Sequence, residues 1–432
     1  YINEPKLCYT YKEFVDNFYF DDDFSKYSLC EFAKVYFGYY QVSPVVFVNV
    51  LDPSTHKSSV TGESHTFETD IITLNNKYVS NEVVTNEDGT VTYTKDTDYT
   101  IDYTAGTITR IDGGGIASGA TVKVDYDYVD PSLVTANDVI GGVDPNTGKR
   151  TGLELVEEVF PRFRLVPGVI ASPKFSADSS VAVAMIAKAS PINNHFKAMA
   201  VVDVPETITK YSDVPGYKND NNLTDELCIV CWPRVSYGNE KHWMSSHVCG
   251  LMASTDYENG DIPYVSPSNK RFECDGAIIG NSEVWLGLDE ANYLNGQGIV
   301  TALNFIGGWK CWGNRTGCYP SVTDVKDSFI PLRRMFNWIG NTLVLTAWQK
   351  LDFPIRRRLI ETVVDSFNIW LNGLAAREII LGGRVEFRED ENPTTEVIDG
   401  IIKFHLYVTP PSPAREIDFI VEYDPEYIST LF

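Results

Sequence analysis

The residues able to do chemistry are few, and their spacing decides against most of what they could do. The chain has six histidines, His56, His65, His195, His242, His247 and His405. It has no G-x-S-x-G nucleophile elbow, no P-loop and no H-E-x-x-H zinc helix. The glycines of "LNGQGIV" (Leu294–Val300) lack the strand-to-helix setting of a dinucleotide loop. Cys228-x-x-Cys231, with His242, His247 and Cys249 downstream, has the composition of a zinc site. A zinc knuckle must aim both sulfurs at one point. Here the pair sits in the apolar run "LCIVCW", a predicted strand, where residues three apart point to opposite faces. Cys311 and Cys318 flank a glycine-rich turn and could form a redox pair. Glu386, Glu389, Asp390 and Glu391 could serve acid–base chemistry only if one were desolvated. In a loop ending at Pro393 they read as solvated charges. No catalytic, cofactor-binding or metal-ligating set is expected, and the chain is not expected to be an enzyme.

Charge is more informative. The 432 residues carry 59 acidic and 36 basic side chains, a net charge of −23. That balance opposes wrapping nucleic acid and favours solubility. The sign reverses between Lys310 and Arg384, where eleven basic residues face six acidic ones. Arg356, Arg357 and Arg358 fall in the first turn of a predicted helix, where the macrodipole disfavours cations. Either an acidic partner meets that helix end, or the arginines pair with Glu361 and Asp365 along the helix.

The elements that hold these residues read as several units, as the length requires. "SKYSLCEFAKVYFGYY" (residues 25–40) has an amphipathic helical pattern. "PVVFVNVL" (Pro44–Leu51) reads as a strand covered on both faces. From Lys57 to Asp130 short alternating runs, "TVTYT", "TITRI" and "TVKVDYDYV", are separated by Asp88-Gly89, Ala105-Gly106 and Ser118-Gly119. They predict a small antiparallel β-sandwich, and with 5 basic and 13 acidic residues it should face solvent. Beyond Pro131, apolar strands alternate with helices, which predicts a largely parallel sheet. "VKDSFIPLRRMFNWIGNTLVLTAWQ" reads as one helix, and a second begins at Pro354. Strands follow at "GRVEFR", "GIIKFHLYV" and "REIDFIVEY". The last alternates Ile417, Phe419, Val421 and Tyr423 on one face, a half-buried strand.

The fold class expected is α/β and α+β multidomain. An α/β domain spans 1–56 plus 135–310, an inserted β-sandwich 57–134, an α+β domain 311–410 and a C-terminal arm 411–432. Eight cysteines are too dilute for a disulfide scaffold and read as buried thiols of a protein folded in cytoplasm. No apolar run reaches the roughly 18 residues of a membrane span, so membrane insertion is not expected. Tyr1–Thr10 lacks the basic and apolar regions of a signal peptide, and the absent initiator Met implies something upstream that was processed, cut or left out.

"WKCWGNRT" (309–316), "PLRRMFNWI" (331–339), "ILGGRVEFREDENPTTEVIDGIIKFH" (380–405) and "SPAREIDFIVEYDP" (412–425) carry a family likeness. With "PVVFVNVLDP" (44–53) and "FPRFRLVPGVIASPKFS" (160–176) upstream, the chain resembles the contractile tail sheaths of myophages and R-type bacteriocins. The likeness runs in order over nearly the whole sequence. It implies a subtilisin-like sheath domain interrupted by an outward-facing sandwich, and a tube-proximal C-terminal domain. Six-membered rings would stack around a tail tube, joined by terminal arms that add strands to neighbouring sheets. Such a polymer contracts without nucleotide. Partners would be other copies, the tube, baseplate and tail terminator proteins. The location would be the virion tail or a phage-tail-like particle, assembled in the bacterial cytoplasm. Residues 417, 419, 421 and 423 would form the exchanged strand, while the family's N-terminal arm precedes the "LCYTY" position and is not in this sequence. Arg333, Arg334, Arg356, Arg357 and Arg358 would face an acidic tube. The likeness supplies no Asp, His and Ser set. A secreted hydrolase or an adhesin with an accessory β-domain is the alternative.

Overall fold

A computed structural model describes residues 1–432. At its centre is a five-stranded sheet in the order Val169–Ala171, Met199–Asp203, Cys228–Cys231, Ile299–Asn304, Trp309–Trp312. The first four strands run parallel and the last antiparallel. Every residue of "MAVVD" and "CIVC" is buried, which is why these runs do not alternate: helices cover both faces of a parallel sheet. The covering helices are Ser179–Ala189, Met244–Glu258 and Leu288–Gly296. Asp178 starts the first of them, its carboxylate accepting from the Ser180 N–H.

One buried cation pins two connecting segments together beside this sheet. Lys218 is 1 % exposed. Its ammonium donates to the carbonyl oxygens of Gln297, Gly317 and Tyr319 at 2.7, 2.9 and 2.8 Å. All three donors are used, which offsets the cost of burying the charge.

Several expectations are corrected. "PVVFVNVL" is not a central strand. Only Val45–Phe47 is extended, paired antiparallel with Lys6–Cys8 in a two-stranded ribbon. Its apolar character instead serves an aromatic cluster, in which Phe47 packs against Phe14, Phe18, Phe32 and Phe37. The 25–40 helix is α over Ser28–Ala33 and π over Lys34–Tyr39. The helix expected from Val325 to Gln349 breaks at Phe329, whose extended backbone separates Val325–Ser328 from Ile330–Ala347. Pro331 fits only the first turn of a helix, so a new one starts there. The next helix starts at Arg357 rather than Pro354. The Trp309–Trp312 strand belongs to the central sheet, which carries that unit past residue 310.

Residues 57–129 form two three-stranded antiparallel sheets. One is ordered Lys57–Thr66, Thr121–Val129, Val79–Asn86, and the other Ile71–Thr73, Thr107–Arg110, Tyr99–Asp102. They share a hydrophobic cluster of their own, including Phe67, Val84, Ile108, Val122 and Tyr126. The turn at Gly106 requires glycine, because φ is +67° and a Cβ would lie 2.2 Å from the Asn76 carbonyl oxygen. In the C-terminal region, helix Arg357–Ala376 packs on a ribbon of Gly382–Glu386 and His405–Thr409.

The strand expected at "REIDFIVEY" is absent. Residues 410–424 pair with nothing, and Phe419 and Val421 are 85 % and 90 % exposed. The alternation predicts a strand correctly only if an edge is present to receive it, and no edge of its own chain does so.

Because residues 57–130 hold a closed core, that segment expressed alone is expected to fold. Circular dichroism should show a β spectrum with a cooperative thermal transition. A featureless unfolded spectrum would show that the rest of the chain is needed to hold it.

Candidate functional site

Two sets of residues were candidates for contact with partners, the arginines and the C-terminal strand, and the structure separates them. Arg333 and Arg334 lie on helix Ile330–Ala347 and are 7 % and 9 % exposed. Arg333 donates to Asp327 at 2.8 Å and to Asn337 at 3.1 Å. Arg334 grips both oxygens of Asp256, at the end of helix Met244–Glu258. Beside them, Asn341 exchanges two hydrogen bonds with the Lys197 backbone, each 2.9 Å. These arginines fasten the C-terminal region to the sheet unit. In this conformation they offer no charge to a partner, contrary to expectation.

Arg356, Arg357 and Arg358 are exposed. Arg356 occupies the cap position and the other two begin the helix. Arg357 pairs with Glu361 at 2.8 Å, in a largely exposed couple worth only a few tenths of a kcal/mol. Arg356 and Arg358 reach no carboxylate within 4.0 Å. Just before them the connection exposes Trp348, Leu351 and Phe353. Both alternatives therefore hold in part, with one local pair and two unanswered charges beside an apolar tip.

Sequence reasoning missed a buried polar centre at the start of helix Met244–Glu258. Asp203, at the end of its strand, accepts from the Ser245 N–H and from the hydroxyls of Ser245 and Ser176. Glu31, from the Ser28–Ala33 helix, accepts from the Trp243 N–H and the Ser246 hydroxyl, both at 2.8 Å. Burial pushes Glu31 up to about 8 and Asp203 up to about 6. His242 and His247 contact each other at 3.1 Å, and burial holds both below the usual imidazole range. The Ser245 hydroxyl goes directly to Asp203, and the His247 ring bonds His242 and Tyr40 instead. No imidazole stands between serine and carboxylate, so the three types do not form a proton relay. The only signal in the sequence was one acid, Glu31, set in the apolar stripe "LCEFA".

The thiols are equally passive. All eight cysteines are free. Burial raises Cys228 and Cys231 far above the ordinary thiol range. The two lie three apart on the strand Cys228–Cys231, so they face opposite sides of the sheet. The acidic run is ion-paired at the surface, Arg388 to Asp390 and Glu391, Arg384 to Glu386. No helix is long and apolar enough to cross a membrane.

Comparison with known proteins fits this picture of an inert core with open margins. The "Tail sheath protein" of Burkholderia phage BcepMu is 31 % identical over 415 residues, covering 91 % of this chain and 84 % of that one. The chain belongs to the contractile tail sheath family. A family model described as "Protein of unknown function UCP028589" matches residues 52–137, the segment of the two three-stranded sheets. Among solved structures, the contracted sheath complex of PVC, an extracellular contractile injection system, superposes with a TM-score of 0.53 at 20 % identity. It covers 64 % of this chain and 76 % of that one. The sheath tail protein of Listeria innocua gives 0.51 at 12 % identity over 95 % and 89 %. Both share the mixed α/β multidomain fold. The function is structural, that of a sheath subunit, and the hydrolase and adhesin alternatives gain no support.

The two arginine sets predict opposite outcomes on mutation. Arg334→Ala leaves Asp256 without its partner and should lower stability by about 3–5 kcal/mol in urea unfolding. Arg358→Ala, at an exposed site, should change it by less than about 0.5 kcal/mol. Equal losses would mean that exposure does not separate the two sets.

Proposed function

We propose that the chain polymerises as stacked six-membered rings around an inner tail tube and contracts to drive that tube through a cell envelope. One observation carries the proposal. The chain finishes its own cores yet leaves Ile417, Phe419, Val421 and Tyr423 exposed on an unpaired, strand-patterned tail. Seven consecutive residues of this kind lose apolar burial and backbone hydrogen bonds unless a sheet edge from another copy receives them. In the two-stranded ribbon Gly382–Glu386 and His405–Thr409, Asn368 answers the Val385 backbone on the outer edge of the first strand, while the second strand pairs with nothing on its other side, and we assign the His405–Thr409 edge as the acceptor.

The remaining assignments follow the same division. The parallel strands with intervening helices support a subtilisin-like sheath domain built from 1–56 and 135–310, extended to the Trp309–Trp312 strand. The acidic double sheet of 57–134 is an insertion turned outward. Residues 311–410 face the tube and 411–432 are the exchanging arm. The unpaired Arg356 and Arg358, with Arg357 and the apolar tip of Trp348, Leu351 and Phe353, form the surface that meets an acidic tube. We assign the subunit no bond-making chemistry, a reading supported by Ser245 bonding Asp203 directly and by His247 bonding His242 and Tyr40. Assembly takes place in the bacterial cytoplasm before the tail or tail-like particle is released, with baseplate and terminator proteins closing the two ends.

Electron microscopy of the complete protein mixed with its tube protein tests this. Ordered sheaths are expected. Phe419→Pro with Val421→Pro should abolish them while thermal unfolding stays unchanged, because the tail touches no core and proline cannot donate to a ladder. Sheaths formed as readily by that variant would reject the exchanged strand. Reversing Arg356, Arg357 and Arg358 to Glu should leave folding intact and weaken tube-templated assembly. Undiminished assembly would reject the tube contact.

A further inference from the structure

The polar centre at the start of helix Met244–Glu258 joins three parts of the chain, and one of its atoms is out of place. Glu31 is 0 % exposed, and its Oε1 takes both hydrogen bonds while Oε2 is buried with no partner. An ionised carboxylate in that position would hold negative charge on an oxygen that nothing answers.

The groups around it give no relief. Asp203, from the central sheet, is a like charge already saturated by two serine hydroxyls and an N–H. Arg234, on the Arg234–Tyr237 strand, is the one cation whose field reaches Glu31. It is engaged with Glu206 at 3.2 Å and lies over the Trp243 ring. Lys34, following Glu31 on its own segment, is paired with Glu240. His242 and His247, on the strand and helix packed beside it, are held neutral by burial.

Glu31 sits where loosening would have a consequence. Its helix carries Leu29, Phe32 and, beyond it, Tyr36 into one wall of an apolar groove of about 890 Å³. The edge strand Val169–Ala171 also lines it. The contacts of Glu31 with Trp243 and Ser246 fasten that wall to the sheet unit.

We propose that Glu31 is a proton-operated latch, closed while its carboxyl carries a proton and released when the proton passes to solvent. It concerns the subunit alone and holds whether or not the chain polymerises. The sign follows from linkage. The folded carboxyl, raised to about 8, binds its proton more tightly than the unfolded one at 4.5. The stabilisation is therefore complete below about pH 4.5 and is lost as pH rises through about 8. Between those two values attachment should weaken about tenfold per pH unit, and above about pH 8 it should level off, because both forms are then ionised.

Amide hydrogen exchange by mass spectrometry on the full chain, corrected for intrinsic rates, reads this directly between about pH 6 and about pH 9.5. Protection of residues 28–48 is expected to fall about tenfold per pH unit from about pH 6 to about pH 8 and to level off above that, while residues 57–130 stay constant. Glu31→Gln, which mimics the protonated acid, should flatten the pH profile. A flat wild-type profile, or an undiminished fall in E31Q, would overturn the latch. Should E31Q not fold, two other variants decide. Ser246→Ala removes a donor that favours the carboxylate and should move the levelling-off point to higher pH. Asp203→Asn removes a like charge and should move it lower. A shift in the wrong direction, or none in either, would also overturn it.

Discussion

The N-terminus of one helix, Met244–Glu258, receives two buried carboxyls, and the arrangement of the sheet unit follows from that convergence. A helix start presents N–H groups with no partners within the helix. Here Ser245 gives its N–H to Asp203, while the Trp243 N–H just ahead of the helix goes to Glu31. The first acid ends a central strand and the second belongs to the N-terminal helix. Strand, helix and N-terminal segment are therefore fixed to one another at a single point, inside a continuous apolar core. The other end of the same helix holds Asp256, which Arg334 grips. One helix thus ties the sheet to the N-terminal segment at one end and to the C-terminal region at the other.

Such internal completeness has a counterpart at the margins. Apolar strands inside the sheet are buried on both faces, whereas the strand-patterned tail is exposed on both. Composition is part of the difference, since "REIDFIVEY" carries four charged residues where "CIVC" carries none. It is also a difference in available edges. A sheet closed on both faces by helices has its backbone groups answered internally, and a tail without an edge has them answered by water. The subunit can bind copies of itself without disturbing its cores, because the elements left for binding are not those that hold it together. Motion between two packings of the polymer can then reside in the linkers to the tail, with each core moving as a rigid body.

How much of this was legible in the sequence depended on whether the deciding partner was near in the chain. The parallel sheet was readable, because "MAVVDV" and "ELCIVC" are unbroken apolar runs between helical patterns. The double sheet at 57–129 was readable from its alternation and glycine turns. Pro44–Leu51 misled because an apolar run indicates burial without saying against what, and here an aromatic cluster replaces sheet neighbours. The arginine pairs show the same limit. Arg333-Arg334 and Arg356–Arg358 look alike as sequence, yet Asp256 lies 78 residues from Arg334. No periodicity connects a side chain to a partner that distant. Glu31 and Asp203 were invisible for the same reason, although a lone acid in an apolar stripe was a usable hint.

The charge distribution completes the physical account of a self-associating chain. A subunit at −23 repels its own copies, so association must rest on contacts that are short-ranged or locally of opposite sign. At physiological salt the Debye length is about 8 Å, which screens the net repulsion between subunit centres but not a charge in contact. In the assembly proposed, exchanged strands would supply the short-ranged term, since backbone hydrogen bonds and apolar burial do not depend on net charge. The exposed arginines would supply the local one, at a helix end where the dipole works against them and where an acidic surface would relieve the strain of like charges. Acidic residues concentrated in the 57–130 segment and basic ones in the 310–384 segment divide those two roles in space. Turned outward as proposed, the first would keep neighbouring assemblies apart in solution, and the second would hold a partner within the assembly.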